Sequence, residues 1–329
     1  MTLKDIARIA NVNVSTVSKA LRSSSDLNPQ TIERIRKIAQ EVNYKKIPAP
    51  EEKKSNRIGI VCPEITSMYY SSILHSLQLN FLKAGYQSIV MISNFNRRQE
   101  IECIRMLAEY NVCGIVFFSE NNTDPSELQE IPGIKDLAFV IVAHNDSNDF
   151  CDNIYIDDYQ GISTAIHYLA GLGHSRIAYI GDKLTGNRRE AYEWAMQSES
   201  LPLVTEHIVE NDLRFEECGY LGMKKLLTLP DLPTAIFAAY DNIAIGAMRA
   251  IYEGGYTIPG DFSVVGVDNL KTSSYLFKTL TTITEPVADL GELTCEMMIH
   301  RIHKDTAIRN TKLIPKLNIQ ETTGFARKK

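Results

Sequence analysis

Three short apolar runs in this chain occur twice, and all three pairs keep nearly the same spacing. Arg57-Ile58-Gly59-Ile60-Val61 returns as Arg176-Ile177-Ala178-Tyr179-Ile180. Gly114-Ile115-Val116-Phe117-Phe118 returns as Ala235-Ile236-Phe237-Ala238-Ala239, and Phe139-Val140-Ile141-Val142 returns near Phe262-Ser263-Val264-Val265. Each offset is about 120 residues. Short apolar runs that alternate with amphipathic helical stretches read as parallel strands covered by helices. The repeat therefore predicts an α/β fold of two tandem, doubly wound parallel-sheet lobes with a cleft between them. Ligands of such sheets sit beyond the carboxyl ends of the strands. That directs attention to residues 62–70, 118–122, 143–146, 181–189, 239–242 and 266–270.

The first 46 residues have a different texture and read as an all-α head of three short helices. Thr2 and Asp5 resemble a capping box, after which Leu3, Ile6, Ala7 and Ala10 share a face. A second helix follows Asn13, a residue suited to an N-cap. Only Val17, Ala20 and Leu21 in it are spaced to face a core, which leaves Ser15, Thr16, Ser18, Lys19 and Arg22 outside. Asn28-Pro29 opens the third helix, whose Ile32, Ile35, Ile38, Ala39 and Val42 repeat at helical spacing. The outer face of the second helix is thus small hydroxyls and cations. Such a face can lie close in a DNA major groove, where bulky side chains would keep the helix away. A small bundle that binds another protein would satisfy the same helical pattern.

Charge favours the DNA reading. Residues 1–54 carry 11 Lys/Arg against 6 Asp/Glu, whereas the whole chain has a net charge of −5. A basic head on an acidic body suits a polyanionic partner. Between head and body, residues 45–56 (KKIPAPEEKKSN) hold two prolines, four lysines and two glutamates and read as a linker.

Other chemistries find little support. The six cysteines (62, 103, 113, 151, 218 and 295) are scattered without a C-x-x-C, so neither a disulfide framework nor a metal site is expected. His300-x-x-His303 could place two imidazoles on one helix face, but no third ligand accompanies them, and a solvated face is the simpler reading. Gly171-Leu172-Gly173 precedes its strand, where a dinucleotide-binding loop would follow one, and reads as a helix stop. No nucleophile–base–orienter set emerges, and no cofactor is implied. No apolar run has the length of a signal peptide or a membrane span, so a cytoplasmic protein is expected.

Leu3-Lys4-Asp5-Ile6-Ala7, Val12-Asn13 and Thr16-Val17-Ser18-Lys19-Ala20-Leu21 together resemble the head of the lactose/galactose repressor family, a group of bacterial transcriptional regulators. The body resembles that family's periplasmic-binding-protein-like region at Gly173-His174-Ser175-Arg176-Ile177, Pro233-Thr234-Ala235-Ile236-Phe237, Asp241-Asn242-Ile243-Ala244-Ile245-Gly246, residues 259–269 and Leu280-Thr281-Thr282-Ile283. The resemblance implies a helix-turn-helix DNA-binding domain at 1–46 and a hinge at 47–56. An effector-binding and dimerisation region would follow at 57–329, with one lobe of about 57–157 plus 286–311 and the other of about 158–282 plus 313–329. It implies a homodimer on a pseudo-palindromic double-stranded DNA operator, repression controlled by a small sugar-like effector, and no enzymatic activity.

By the same resemblance Val14, Ser15 and Lys19 read bases, and Thr16, Ser18 and Arg22 lie near phosphates. Lys19 stands where the family usually has arginine, so a guanine contact loses the bidentate fork. The effector contacts would be Tyr69, Tyr70, His144, Arg188, Tyr240 and Asp268, with Tyr240 narrowing the pocket. A charged Asp/Arg pair with aromatic rings suits a polyhydroxylated ligand; the plainer alternative is that Arg188 and Asp268 form a structural ion pair. The linker departs from the family pattern: it has no leucine to wedge into a minor groove, which predicts weaker kinking at the operator centre or a different hinge geometry. The alternative function is a sugar-binding protein or sugar-acting enzyme of the same α/β class.

Overall fold

The computed structural model describes residues 3–21, 27–42, 44, 55–119, 125–143, 151–303 and 307–327. The chain divides into two compact units, Met1–Ser55 and Asn56–Lys329. The expected linker lies almost wholly outside the described residues, as do Arg22, His144 and the Thr2 half of the proposed capping box.

The head packs α1 (Leu3–Ile9), α2 (Val14–Leu21) and α3 (Pro29–Glu41) around one core of Ile6, Ala7, Ala10, Val17, Ala20, Leu21, Ile35 and Ala39. Asn11, with φ 51°, turns the chain between α1 and α2. The Asn13 carbonyl accepts from the amides of Thr16 and Val17 and so starts α2. At α3 the Asn28 side chain accepts from Gln30 N at 2.9 Å and a proline occupies the first turn, the arrangement its sequence predicted. Arg34 Nη2 donates to Ala10 O at 3.1 Å and ties α3 to the end of α1.

The body contains β1 (Arg57–Cys62), α4 (Met68–Lys83), β2 (Gln87–Ile92), α5 (Arg97–Glu109), β3 (Gly114–Phe118), α6 (Pro125–Leu128), β4 (Ala138–Ala143), β5 (Asp152–Ile156) and α7 (Asp158–Gly171). It continues with β6 (Ile177–Asp182), α8 (Gly186–Ser198), β7 (Ile208–Asn211), α9 (Phe215–Leu226), β8 (Ala235–Ala238) and α10 (Asp241–Glu253). The last elements are β9 (Ser263–Val267), β10 (Thr281–Thr284), α11 (Val287–Ile302), β11 (Asn310–Leu313) and β12 (Lys316–Asn318). The repeated runs form equivalent strands of two sheets, ordered β11-β5-β4-β3-β1-β2 and β12-β10-β9-β8-β6-β7. All pairings are parallel except β10 with β12. Strands β1, β3, β6, β8 and β9 are buried along almost their whole length, which explains why they read as continuous apolar runs.

Helices cover both faces. The second lobe's α9 and α10 approach so closely that a Cβ at Gly219 would stand 1.8 Å from Ile243 O, and one at Gly246 1.9 Å from Glu216 O. Gly173, at φ 87°, ends α7, with His174 N returning to Leu169 O, as expected of a helix stop. The six cysteines are free thiols, and five are buried. No helix among the described residues is long and apolar enough to cross a membrane.

The chain passes between the lobes three times: from β5 to α7 at Asp157, from β10 to α11 at Glu285–Pro286, and from β11 to β12 at Ile314–Pro315. α11 belongs to the first lobe, where Leu290, Cys295, Met297 and Met298 join the core of Ile58, Ile60 and Val140.

Candidate effector site and DNA-facing helix

In the head, Val17, Ala20 and Leu21 are buried, so α2 must present its opposite side outward. Val14 (39% exposed), Ser15 and Lys19 are on that side, and Thr16 and Ser18 are half-buried at its margin. An exposed β-branched residue beside a hydroxyl and an ammonium offers an apolar contact, a hydrogen-bonding group and a cation on one short helix.

In the body, a cleft of about 580 Å³, part of it open to solvent, lies where the strands of both sheets end. Tyr69, Tyr70 and Phe95 line it from the first lobe, and Arg188, Arg214, Phe215, Tyr240 and Asp268 from the second. Phe118, Ser119 and Ala143, from two of the segments expected to reach it, are not in its lining.

Arg188, in the first turn of α8, is 8% exposed and sits among three carboxylates. Its Nη2 donates to Glu285 Oε1 at 2.7 Å, Nη1 to Asp268 Oδ1 at 3.4 Å and to Ala239 O at 2.8 Å, and Nε lies 3.5 Å from Asp158 Oδ1. Burial disfavours its charge, but Glu285, Asp158 and Asp268 outweigh burial and hold the guanidinium protonated. Arg189 points elsewhere and pairs with Glu193 and Glu210.

Asp268 follows β9 with φ 105°, a backbone region that costs energy for any residue but glycine. Burial pushes its carboxyl up to about 7; Arg188 opposes this and Asp241 adds to it. Asp241, at the start of α10, fixes the loop after β9. It accepts from Leu270 N at 2.8 Å, Ser273 Oγ at 3.0 Å and Thr282 Oγ1 at 2.6 Å. Burial raises it to about 6 despite these bonds. A Cβ at Gly266 would meet Asp241 Oδ1 at 2.3 Å, so that carboxylate needs a glycine opposite.

The tyrosines divide by role. Tyr70 is buried and packs edge-on against Tyr69, Phe95 and Phe118, whereas Tyr69 is half-buried. Tyr240 lines the cleft, and its hydroxyl is engaged: it donates to Asp182 Oδ2 at 2.6 Å and accepts from Phe215 N at 3.0 Å.

Sequence reasoning missed the other cation. Arg214, just before α9, donates bidentately to Glu64 of the first lobe at 2.7 and 2.9 Å. Its Nε lies 3.5 Å from Asp182 Oδ2, and its guanidinium sits over Phe95 (5.3 Å) and Phe215 (4.5 Å). Burial raises Glu64, but Arg214, Thr66 and Ser67 outweigh it and hold the carboxyl below its ordinary range. The signal that could have led here was positional: Arg214 and Phe215 follow β7, and Glu64 and Phe95 follow β1 and β2, all at carboxyl ends.

Comparison with family models matches residues 2–46 to "Bacterial regulatory proteins, lacI family" and residues 166–323 to "Periplasmic binding protein-like domain". Among curated proteins, the chain is 30% identical over 331 residues to the HTH-type transcriptional repressor PurR of Mannheimia succiniciproducens, covering 98% of each. Among solved structures, it resembles the lac repressor dimer bound to operator and the anti-inducer ONPF, at TM-score 0.73 and 22% identity, over 98% of this chain and 99% of that one. A ribose-bound regulator from Enterococcus faecium matches at TM-score 0.71 and 23% identity, over 82% of this chain and all of its own. The two structural likenesses concern the fold.

Proposed function

The chain belongs to the lacI family of bacterial regulatory proteins, and from that premise we propose that it is a cytoplasmic, sequence-specific repressor whose DNA binding responds to a small sugar-like effector. One observation carries the reading. A single chain joins a compact basic head, with Val14, Ser15 and Lys19 exposed on one helix, to a two-lobed body with a cleft lined by charged and aromatic side chains.

Val14, Ser15 and Lys19 then address base edges, and Thr16, Ser18 and Arg22 hold the backbone, a division usual for major-groove helices. Tyr69, Arg188 and Asp268 contact the effector directly, while Tyr70 and Tyr240 shape the walls against which it rests. His144 is assigned to the same site by resemblance alone. No catalytic step is assigned to the cleft. A homodimer follows from the symmetry of two half-sites about one helical turn apart. Tyr275 (81% exposed) and Phe277 (90%) on the second lobe offer apolar surface to a second copy.

The effector acts by preferring one arrangement of the lobes, since a ligand shifts an equilibrium only by its differential affinity for the two states. The test is fluorescence anisotropy with palindromes from the protein's own promoter, at several salt concentrations. Specific binding that weakens steeply with salt is expected. A protein that binds no promoter palindrome better than random DNA is not this repressor.

A further inference from the structure

The charges around the cleft do not balance. Arg188 and Arg214 supply two positive charges, and Asp158, Asp268, Glu285, Glu64 and Asp182 lie within 3.5 Å of them. Among the described residues, five carboxylates against two guanidiniums leave a formal excess of three negative charges, two where Asp268 is protonated; Asp268 and the arginines line the cleft and the other four carboxylates stand behind them. All five are nearly buried, so solvent screens them poorly.

Both cations are also occupied. Arg188 spends Nη1 on Ala239 O and Asp268 and Nη2 on Glu285. Arg214 gives both Nη atoms to Glu64, so an incoming anion could use that fork only by displacing a carboxylate that is 8% exposed. The remaining surface suits a different guest. Asp268, Asn187 and Asn242 line it with polar side chains suited to hydroxyl groups, and Tyr69, Phe95 and Phe215 line it with aromatic rings.

We infer that the cleft takes a polyhydroxylated ligand without an anionic group, and that it discriminates against phosphorylated and carboxylated sugars. The inference rests on the cleft being the effector site. A like charge held about 5 Å from an excess carboxylate in a protein environment loses on the order of a hundredfold in affinity. An ammonium in place of a hydroxyl meets no such penalty.

The experiment is calorimetric titration of the full-length protein, at physiological salt, with matched sets of sugars. Each set holds a neutral pentose or hexose, its amino sugar, its phosphate ester and, for hexoses, its uronate. Binding is expected only from neutral and amino members, with the anionic member of the same set weaker by about tenfold or more. In Asp268→Asn the neutral member weakens and the gap to its phosphate narrows. A phosphate or uronate that binds as tightly as its neutral parent, and loses that affinity in Arg188→Ala, overturns the charge inference while keeping the cleft as effector site. Binding that survives unchanged in both Asp268→Asn and Arg188→Ala overturns the cleft reading itself. Failure of every set to bind overturns both.

Discussion

Arg214 of the second lobe and Glu64 of the first, 150 residues apart, meet end to end across the cleft, with Nη1–Oε2 at 2.7 Å and Nη2–Oε1 at 2.9 Å. The pair is the cleft's ionic latch. Phe95 and Phe215 flank the guanidinium from opposite lobes, so closing the cleft also desolvates it. In such a setting desolvation offsets much of the pair's attraction, but removing one partner strands the other's charge.

Glu64→Gln and Arg214→Ala should each bias the ligand-free body toward an open form, seen as a larger radius of gyration in small-angle scattering. A double-mutant cycle on effector binding should give a coupling of about 1–3 kcal/mol. Because Glu64 is held below its ordinary value, the latch is present above the unfolded-state value near 4.3 and is lost as pH falls through the folded one. Its contribution should therefore stay flat from pH 6 to 8.

Asp268 is expected to trade stability for binding. Its folded-state value is raised, so the fold takes up a proton more readily than the unfolded chain does. Stability from this group is present below the unfolded value near 3.9 and lost as pH rises to about 7. Asparagine removes the buried charge and tolerates positive φ better than most residues. Asp268→Asn should melt several degrees higher than the parent at pH 8, at about 2–4 °C per kcal/mol recovered, and show little gain at pH 4. The same variant should show reduced effector-induced stabilisation at pH 8.

His174 should give the opposite slope. Its ring bridges Thr234 Oγ1 at 2.9 Å and both Ser263 Oγ and Gly324 O at 2.9 and 3.0 Å. Burial lowers its value, with the Gly324 carbonyl in part opposing. The folded state thus resists a proton that the unfolded chain accepts near pH 6.5. Stability should fall as pH drops from 6.5 toward the folded value, and a His174→Gln variant, though less stable at pH 7.5, should lose that part of the slope in calorimetric melts.

On DNA, Lys19→Ala should cost about 1–3 kcal/mol and relax selectivity at one base pair if Lys19 reads a base. Thr16→Ala or Ser18→Ala should weaken all sequences alike, since a phosphate contact carries no sequence information. Binding-site selection with each variant separates the two outcomes: equal loss on every sequence for Lys19→Ala would move it to the backbone set.

The fold was legible because buried parallel strands have to be apolar on both faces, and a duplicated lobe writes that constraint twice at one spacing. Arg188 and Asp268 were found through motif resemblance, and they do meet, but not as an isolated pair: Glu285 is the nearer partner of Arg188. Neither the Glu285 contact nor the latch could be read along the chain. Glu64 and Arg214 are set in loops with no periodicity, and Phe215 adopts φ 56°, which no helical or strand pattern announces. Tyr240 was expected to narrow the pocket. It does line it, but its hydroxyl binding to Asp182 is a tertiary arrangement that joins β6 to β8.

The three lobe crossings all adjoin one edge of each sheet, beside β5 with β11 and beside β10 with β12, while Arg214 follows β7 at the other edge. Four strand spacings separate β10 from β7, a lever arm of about 19 Å. A rotation of roughly 10° about the crossings moves the latch by about 3 Å on that arm, enough to part its hydrogen bonds. The Arg188 cluster uses only second-lobe and crossing residues and turns as a unit. Pivoting the lobes therefore leaves the pocket floor assembled and unfastens only its rim, so a ligand would find half of its site already built.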